Sequence, residues 1–131
     1  LYGPDRYRMD RYLNGPVTEG YLNSIHRDDA AGVVAHVLTT DRARGEVVLG
    51  VDDEPVSKHA FADWLAAECG VDPPEKWTVA ERAAATEGTM SRRVRANKRC
   101  ANDRLHELGY ELRYPTIRDG YRPAIDAFRS D

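Results

Sequence analysis

The sequence predicts a helix-rich α/β fold, on three observations. Apolar residues recur at helical spacing in several separate stretches. Between them lies one near-continuous β-branched run, Glu46-Val47-Val48-Leu49-Gly50-Val51. Gly, Pro and Asn punctuate the chain at the joints, as in Asn14-Gly15-Pro16, Asp72-Pro73-Pro74 and Gly109. A length of 131 residues suits one unit, residues 1–131, and 41% hydrophobic with 31% charged residues is enough for one modest core.

The elements follow in order. Residues 1–8 read as a loop, with a short helix around Arg6 to Leu13. Tyr21 to His26 reads as extended. A helix spans about Asp28 to Thr40, since Ala30, Val33, Val34, Val37 and Leu38 form an apolar stripe and Asp28 and Asp29 suit the positive end of its dipole. The run Glu46–Val51 reads as a strand buried on both faces of a parallel sheet, whose neighbouring strands must come from elsewhere. Ser57 is a good N-cap for a helix to Glu68, with Phe61, Trp64 and Leu65 inward and Gly70 as its stop. Residues 78–87 read as helical from their alanines, and Ser91 to Arg99 as basic and irregular. Asn102 caps a helix through Leu108. Tyr110 to Tyr114 is short and extended. Thr116 caps a last helix with a stripe of Ile117, Tyr121, Ala124, Ile125 and Phe128.

Charge and composition exclude several functions. Lys+Arg 19 against Asp+Glu 22 gives a net charge of -3, which argues against nucleic acid and against a membrane surface as partners. No apolar run approaches the ~20 residues of a membrane span, and no signal peptide opens the chain. Cys69 and Cys100 suit neither a disulfide framework nor a zinc site, which points to reduced thiols and a cytoplasmic location. The glycines form no G-x-G-x-x-G or phosphate loop, no tyrosine has a lysine one helical turn later, and no G-x-S-x-G elbow is present. His26, His36, His59 and His106 show no metal-ligand spacing. The chain therefore offers no catalytic residue and no metal site of its own.

Several segments in a fixed order carry a resemblance. They are Tyr2-Gly3-Pro4, Asn23-Ser24-Ile25-His26-Arg27-Asp28-Asp29-Ala30, Gly45 through Pro55, Lys98 through Leu105, Leu108-Gly109-Tyr110 and Arg113 through Gly120. Together they resemble the C-terminal part of NAD(P)-dependent epimerase/dehydratases, the extended and atypical short-chain dehydrogenase/reductases, over nearly the whole chain. The resemblance implies a fragment: the substrate-binding lobe plus the last strand or so of a Rossmann-type parallel sheet. The Gly-rich loop, the Tyr/Lys pair and the NAD or NADP site would lie upstream of Leu1, so this chain binds no cofactor alone. Leu22 stands where nucleotide-sugar epimerases often carry a phosphate-binding Arg.

Candidate substrate-binding residues are Tyr2, Asn23, Arg92, Arg93, Lys98 and Arg99. Arg92, Arg93, Arg95, Lys98 and Arg99 form the dense positive cluster of an acidic chain, and Arg forks suit a phosphate or carboxylate. Their bland reading is a solvated loop. Tyr2 either lines a pocket or packs, and Asn23 either meets a ligand or pins backbone. His26 with Asp28 or Asp29 has the composition of a base pair, but the architectural reading is favoured. Trp77 either walls a pocket or covers a core edge. The expected partners are a small anionic or sugar-like molecule, the Rossmann part of the same protein and, in some assemblies, a second copy. The parent activity expected is that of an epimerase, dehydratase or reductase; the rival is a non-catalytic binding or regulatory module derived from the same fold.

Overall fold

The computed structural model describes residues 1–86 and 97–131. These divide into two compact units, each discontinuous in sequence: Leu1–Tyr7, Asn23–Pro55 and Cys100–Ala124 form the first, and Arg8–Leu22, Val56–Arg99 and Ile125–Asp131 the second. Helices dominate, and the strands are two residues long, paired parallel in one sheet and antiparallel in another.

The first unit is built around helix α2, Arg27–Thr39. His26 is its N-cap: the backbone is extended there, and Nδ1 accepts the N–H of Asp28 at 3.1 Å. The N-terminal segment lies beside this helix start through a parallel bridge between Tyr2 and His26, with Tyr2 N–H on the Ile25 carbonyl at 3.2 Å and Arg27 N–H on the Tyr2 carbonyl at 2.7 Å. The expected α2 stripe divides. Val33 enters a core with Ile25 and Leu105, against which Ala30 and Val37 pack, while Val34 and Leu38 remain 58% and 79% exposed. At 100° per residue, Val34 and Leu38 share a strip displaced from the one that faces this core.

Within this chain alone, the run Glu46–Val51 lacks the burial that the sequence predicts for it. It enters no sheet among the described residues, and it is not buried on both faces. Val48 packs on the Ile25–Val33–Leu105 core, and a Cβ at Gly50 would stand 3.8 Å from Ile25 and Val33. Val47 is 87% exposed and Leu49 46%. The alternation is that of an extended segment covered on one side. Burial of the second side needs a layer packed on that face, and the run pairs with none of the described strands.

Helix α5, Asp103–Glu107, buries Leu105 in the same core. Asn102 precedes it, but its side chain makes no cap, a second departure from expectation. The first turns of the last helix, α6 (Ile117–Ser130), complete the unit. Thr116 and Asp119 close its start reciprocally: Asp119 Oδ2 accepts from the Thr116 N–H at 3.1 Å and its hydroxyl at 2.8 Å, and Thr116 Oγ1 accepts the Asp119 N–H at 3.3 Å.

In the second unit, the short helix α1 spans Met9–Leu13. It starts later than the sequence suggests because Arg8 is left-handed, at φ 54°. Strand β1 (Val17–Thr18) runs parallel to β4 (Lys76–Trp77), and β2 (Tyr21–Leu22) antiparallel to β3 (Val56–Ser57). Helix α3, Lys58–Cys69, begins at Ser57, whose hydroxyl accepts the Ala60 N–H, and ends at left-handed Gly70, as its sequence predicts. It buries Phe61, Ala62, Leu65, Ala66 and Cys69, and Trp64 stacks half-exposed on Phe61. Helix α4, Val79–Ala85, opens on a full capping box between Thr78 and Glu81.

Candidate functional site

The candidate residues fall in both units. Arg92 and Arg93, with Arg95, lie outside the described residues. Tyr2 and Asn23 belong to the first unit, Lys98 and Arg99 to the second.

Tyr2 is 4% exposed. Its ring meets His26 edge-on at 5.3 Å and lies 5.1 Å from Tyr121, and its hydroxyl reaches the Thr116 carbonyl at 3.4 Å. Burial, and then the negative charge of Asp52, push its phenol well above the usual range. It is a neutral packing group, which is the second of the two roles its position allows. Asn23 Oδ1 accepts the N–H of Cys100 at 2.7 Å, so it pins the chain where it enters the α5 segment. His26 is likewise held. It is 2% exposed, stacks on Tyr114 at 3.9 Å, and burial lowers its pKa despite Asp28 and Asp29. An imidazole kept neutral and enclosed in this way is architectural.

Behind it, Asp29 is fully buried and ties the segment after Gly109 to α2. It accepts from the Tyr110 hydroxyl at 2.8 Å and from the backbone N–H groups of Arg113 and Tyr114 at 2.8 and 2.9 Å. Burial and that bond push Tyr110 up to about 12.

In the second unit the basic segment ends on β2. Asn97 Oδ1 accepts the Tyr21 N–H at 2.9 Å, and the Arg99 guanidinium lies 4.8 Å over the Tyr21 ring. A Cβ at Gly20 would stand 3.5 Å from Lys58 Nζ and 3.6 Å from Asn97 Oδ1, so Lys58 is carried to the same turn. Lys98 is exposed. This brings Arg99, beside Lys98, onto an aromatic platform, with Lys58 close to the Asn97 that anchors it. Trp77 donates its indole N–H to Glu75 at 2.9 Å and carries Arg82 at 5.9 Å.

The sequence reading passed over the turn Asp52-Asp53-Glu54-Pro55 as a site. Asp52 is 2% exposed and Oδ2 has no hydrogen-bond partner among the described residues. Asp53 accepts from Asn102 Nδ2 at 2.8 Å and pairs with His106 Nε2 at 2.5 Å, and Asn102 also donates to the Val51 carbonyl at 3.1 Å. The available signal was two adjacent acids directly after an apolar run, where an extended segment carries its last side chains into a turn. Among the described residues, no group of three His, Cys, Asp or Glu could hold a metal ion. No helix there is long and apolar enough to cross a membrane. Nor do they fit a dinucleotide: Gly3, Gly15, Gly20, Gly45, Gly70 and Gly109 each take positive φ at separate turns, and none forms a cradle opening a helix.

No protein-family model matches the sequence, and no curated protein matches it. Solved structures do. A protein from Methylobacillus flagellatus, provisionally described as an NAD-dependent epimerase/dehydratase, is 28% identical with a TM-score of 0.68 over 98% of this chain and 44% of its own. A conserved protein of unknown function from Silicibacter pomeroyi is 29% identical with a TM-score of 0.69 over 99% of this chain and 46% of its own. The chain thus spans a little under half the length of the structures it matches. In fold and in sequence, nearly all of it is similar to part of an NAD-dependent epimerase/dehydratase, as the order of its motifs implies.

Proposed function

We propose that this chain is the substrate-binding portion of an NAD(P)-dependent epimerase, dehydratase or reductase acting on a sugar-like or otherwise hydroxylated anionic molecule. The observation that carries the reading is the extent of the likeness: the whole chain corresponds to less than half of each neighbour. The bare side of Glu46–Val51 supports it, since a strand of a parallel sheet has both faces covered by the remainder of its domain. In this reading the cofactor, NAD or NADP, is held by that remainder and supplies the hydride chemistry. This chain contributes orientation of the substrate. Arg99 and Lys98, with Arg92 and Arg93, would hold the anionic group, Arg99 as a pre-set planar fork. Tyr2 and Asn23 would act within the first unit, one as packing and one as a backbone pin.

The test is spectrophotometric. The isolated 131-residue polypeptide should form no NADH from NAD with any of a panel of hydroxylated substrates. A longer polypeptide that adds a Gly-rich βαβ unit and a Tyr/Lys pair should form it. Turnover by the isolated chain would overturn the reading.

A further inference from the structure

The mechanism proposed above leaves Asp52 unused, yet it is the most unusual polar group described. It lies in the Val51–Pro55 turn of the first unit at 2% exposure. One oxygen accepts the Glu54 N–H at 3.1 Å, and the other, Oδ2, is buried with no partner among the described residues. The titratable groups acting on it are Asp53 and Glu54 of its own turn, Asp119 of α6, and Tyr2 of the N-terminal segment. Three are acids and the fourth a phenol, and none of these four compensates a negative charge; Arg118, beside Asp119 in α6, has its Nε buried. An ionised oxygen in that position lacks both water and a donor, which is the arrangement a buried carboxyl avoids by keeping its proton.

We propose that Asp52 is a proton-operated latch: the Val51–Pro55 turn closes over a neutral carboxylic acid and loosens when that acid ionises and draws water to Oδ2. The closed turn is held by Asn102 on Val51 and Asp53, by His106 on Asp53, and by three backbone N–H groups. Asp52 N–H donates to the Ser24 carbonyl at 2.7 Å, Asp53 N–H to the Pro115 carbonyl at 2.9 Å, and Glu54 N–H to Asp52 itself. Ionisation therefore acts on the segment that joins the Glu46–Val51 run to the α6 entry.

Burial, with the repulsion of Asp53, Glu54 and Asp119, outweighs the Glu54 N–H and raises Asp52 from 3.8 to about 7. A raised value in the closed form means that the proton's contribution is fully present below 3.8, is lost as pH rises toward 7, and is constant above that. His26, lowered by burial, works in the opposite sense below its ordinary 6.5. A comparison with Asp52→Asn, which keeps an uncharged side chain of the same shape, separates the two.

The experiment is a carbon-13 NMR titration of the Asp52 carboxyl in the unmodified chain, with amide hydrogen exchange of Asp53 and Glu54 in that chain and in Asp52→Asn. The expected results are a midpoint above pH 6, and protection factors that fall roughly tenfold per pH unit between about pH 5 and 7 and then level off, while those of Asp52→Asn stay flat. A midpoint below 6, or the same fall in both proteins, overturns the latch. If Asp52→Asn fails to fold, the titration of the unmodified chain decides alone.

Discussion

The buried carboxylate of Asp29 and the phenol of Tyr110 meet at 2.8 Å across a separation of 81 residues. With the Arg113 and Tyr114 amides on the same carboxylate, this joins the start of α2 to the segment leading into α6. Removing the acceptor leaves the two amides without this partner and the Tyr110 hydroxyl with only the Asp29 carbonyl at 3.3 Å. Asp29→Ala should therefore destabilise the chain by about 3–5 kcal/mol, and Tyr110→Phe, which removes one donor and keeps the ring, by about 1–2 kcal/mol. Urea unfolding of both variants checks this. Equal losses would show that the carboxylate does not gather the three bonds.

Gly120 is a second tight point. A Cβ there would overlap the hydroxyl and ring of Tyr2, whose own ring is enclosed by His26 and Tyr121. The neighbour that would have to move is thus a packed ring, not the free end of a flexible chain. Gly120→Ala should cost at least about 2 kcal/mol although alanine is the better helix former. A neutral or stabilising result in thermal unfolding would mean that Tyr2 is not held there.

Asp53 should show how a turn acid is kept ionised. Burial alone would raise its pKa, but the Asn102 amide and the His106 imidazole outweigh that and hold it below its ordinary 3.8. A lowered folded value gives stability that is present above 3.8 and lost as pH falls through the folded midpoint. Asn102→Ala should move the Asp53 midpoint upward and weaken the chain by about 1 kcal/mol, because the Val51 carbonyl loses its donor as well. The shift is read by NMR titration; an unchanged midpoint would assign the lowering to His106 alone.

These three sites differ in how far the sequence reveals them. Helix α3 was legible because Ser57 and Gly70 bracket it and Phe61 and Leu65 keep its period. Asn102 read as a cap from its residue type, but its amide has stronger partners in Val51 and Asp53, more than forty positions away. No local pattern encodes that choice. The two-residue strands were invisible for a simpler reason: a period of two cannot be seen in two residues. Among site residues, the Arg99 cluster is visible as charge, whereas no local pattern marks Asp52 as buried. The groups that act on it include Tyr2 and Asp119 of α6, which come from the two ends of the chain.

The basic platform makes a binding prediction. If Arg99 over Tyr21 is a pre-set anion fork, pyrophosphate should shift the Tyr21 and Arg99 side-chain NMR signals of the isolated chain in a saturable way. Arg99→Ala should weaken that binding at least about tenfold, and Arg99→Lys should recover only part of it, since an ammonium lacks the planar fork. Shifts of equal size in all three proteins would reduce the cluster to a solvated charged loop.

The Glu46–Val51 run supplies the test that bears most on the proposed parentage. Val47 points to solvent and Val48 into the Ile25–Val33–Leu105 core. In the isolated chain, Val47→Lys should change stability by no more than about 0.5 kcal/mol, the range of ordinary surface substitutions. Val48→Ala should cost about 1–2 kcal/mol through lost burial. In a longer polypeptide whose helices cover the open face, the first substitution should become the worse one, because a buried ammonium without a partner is costlier than a missing pair of methyl groups. That reversal requires neighbours packed on the face the present chain leaves bare. If Val47→Lys remains harmless in the longer polypeptide, those neighbours do not lie there, and the run is an exposed segment in its own right.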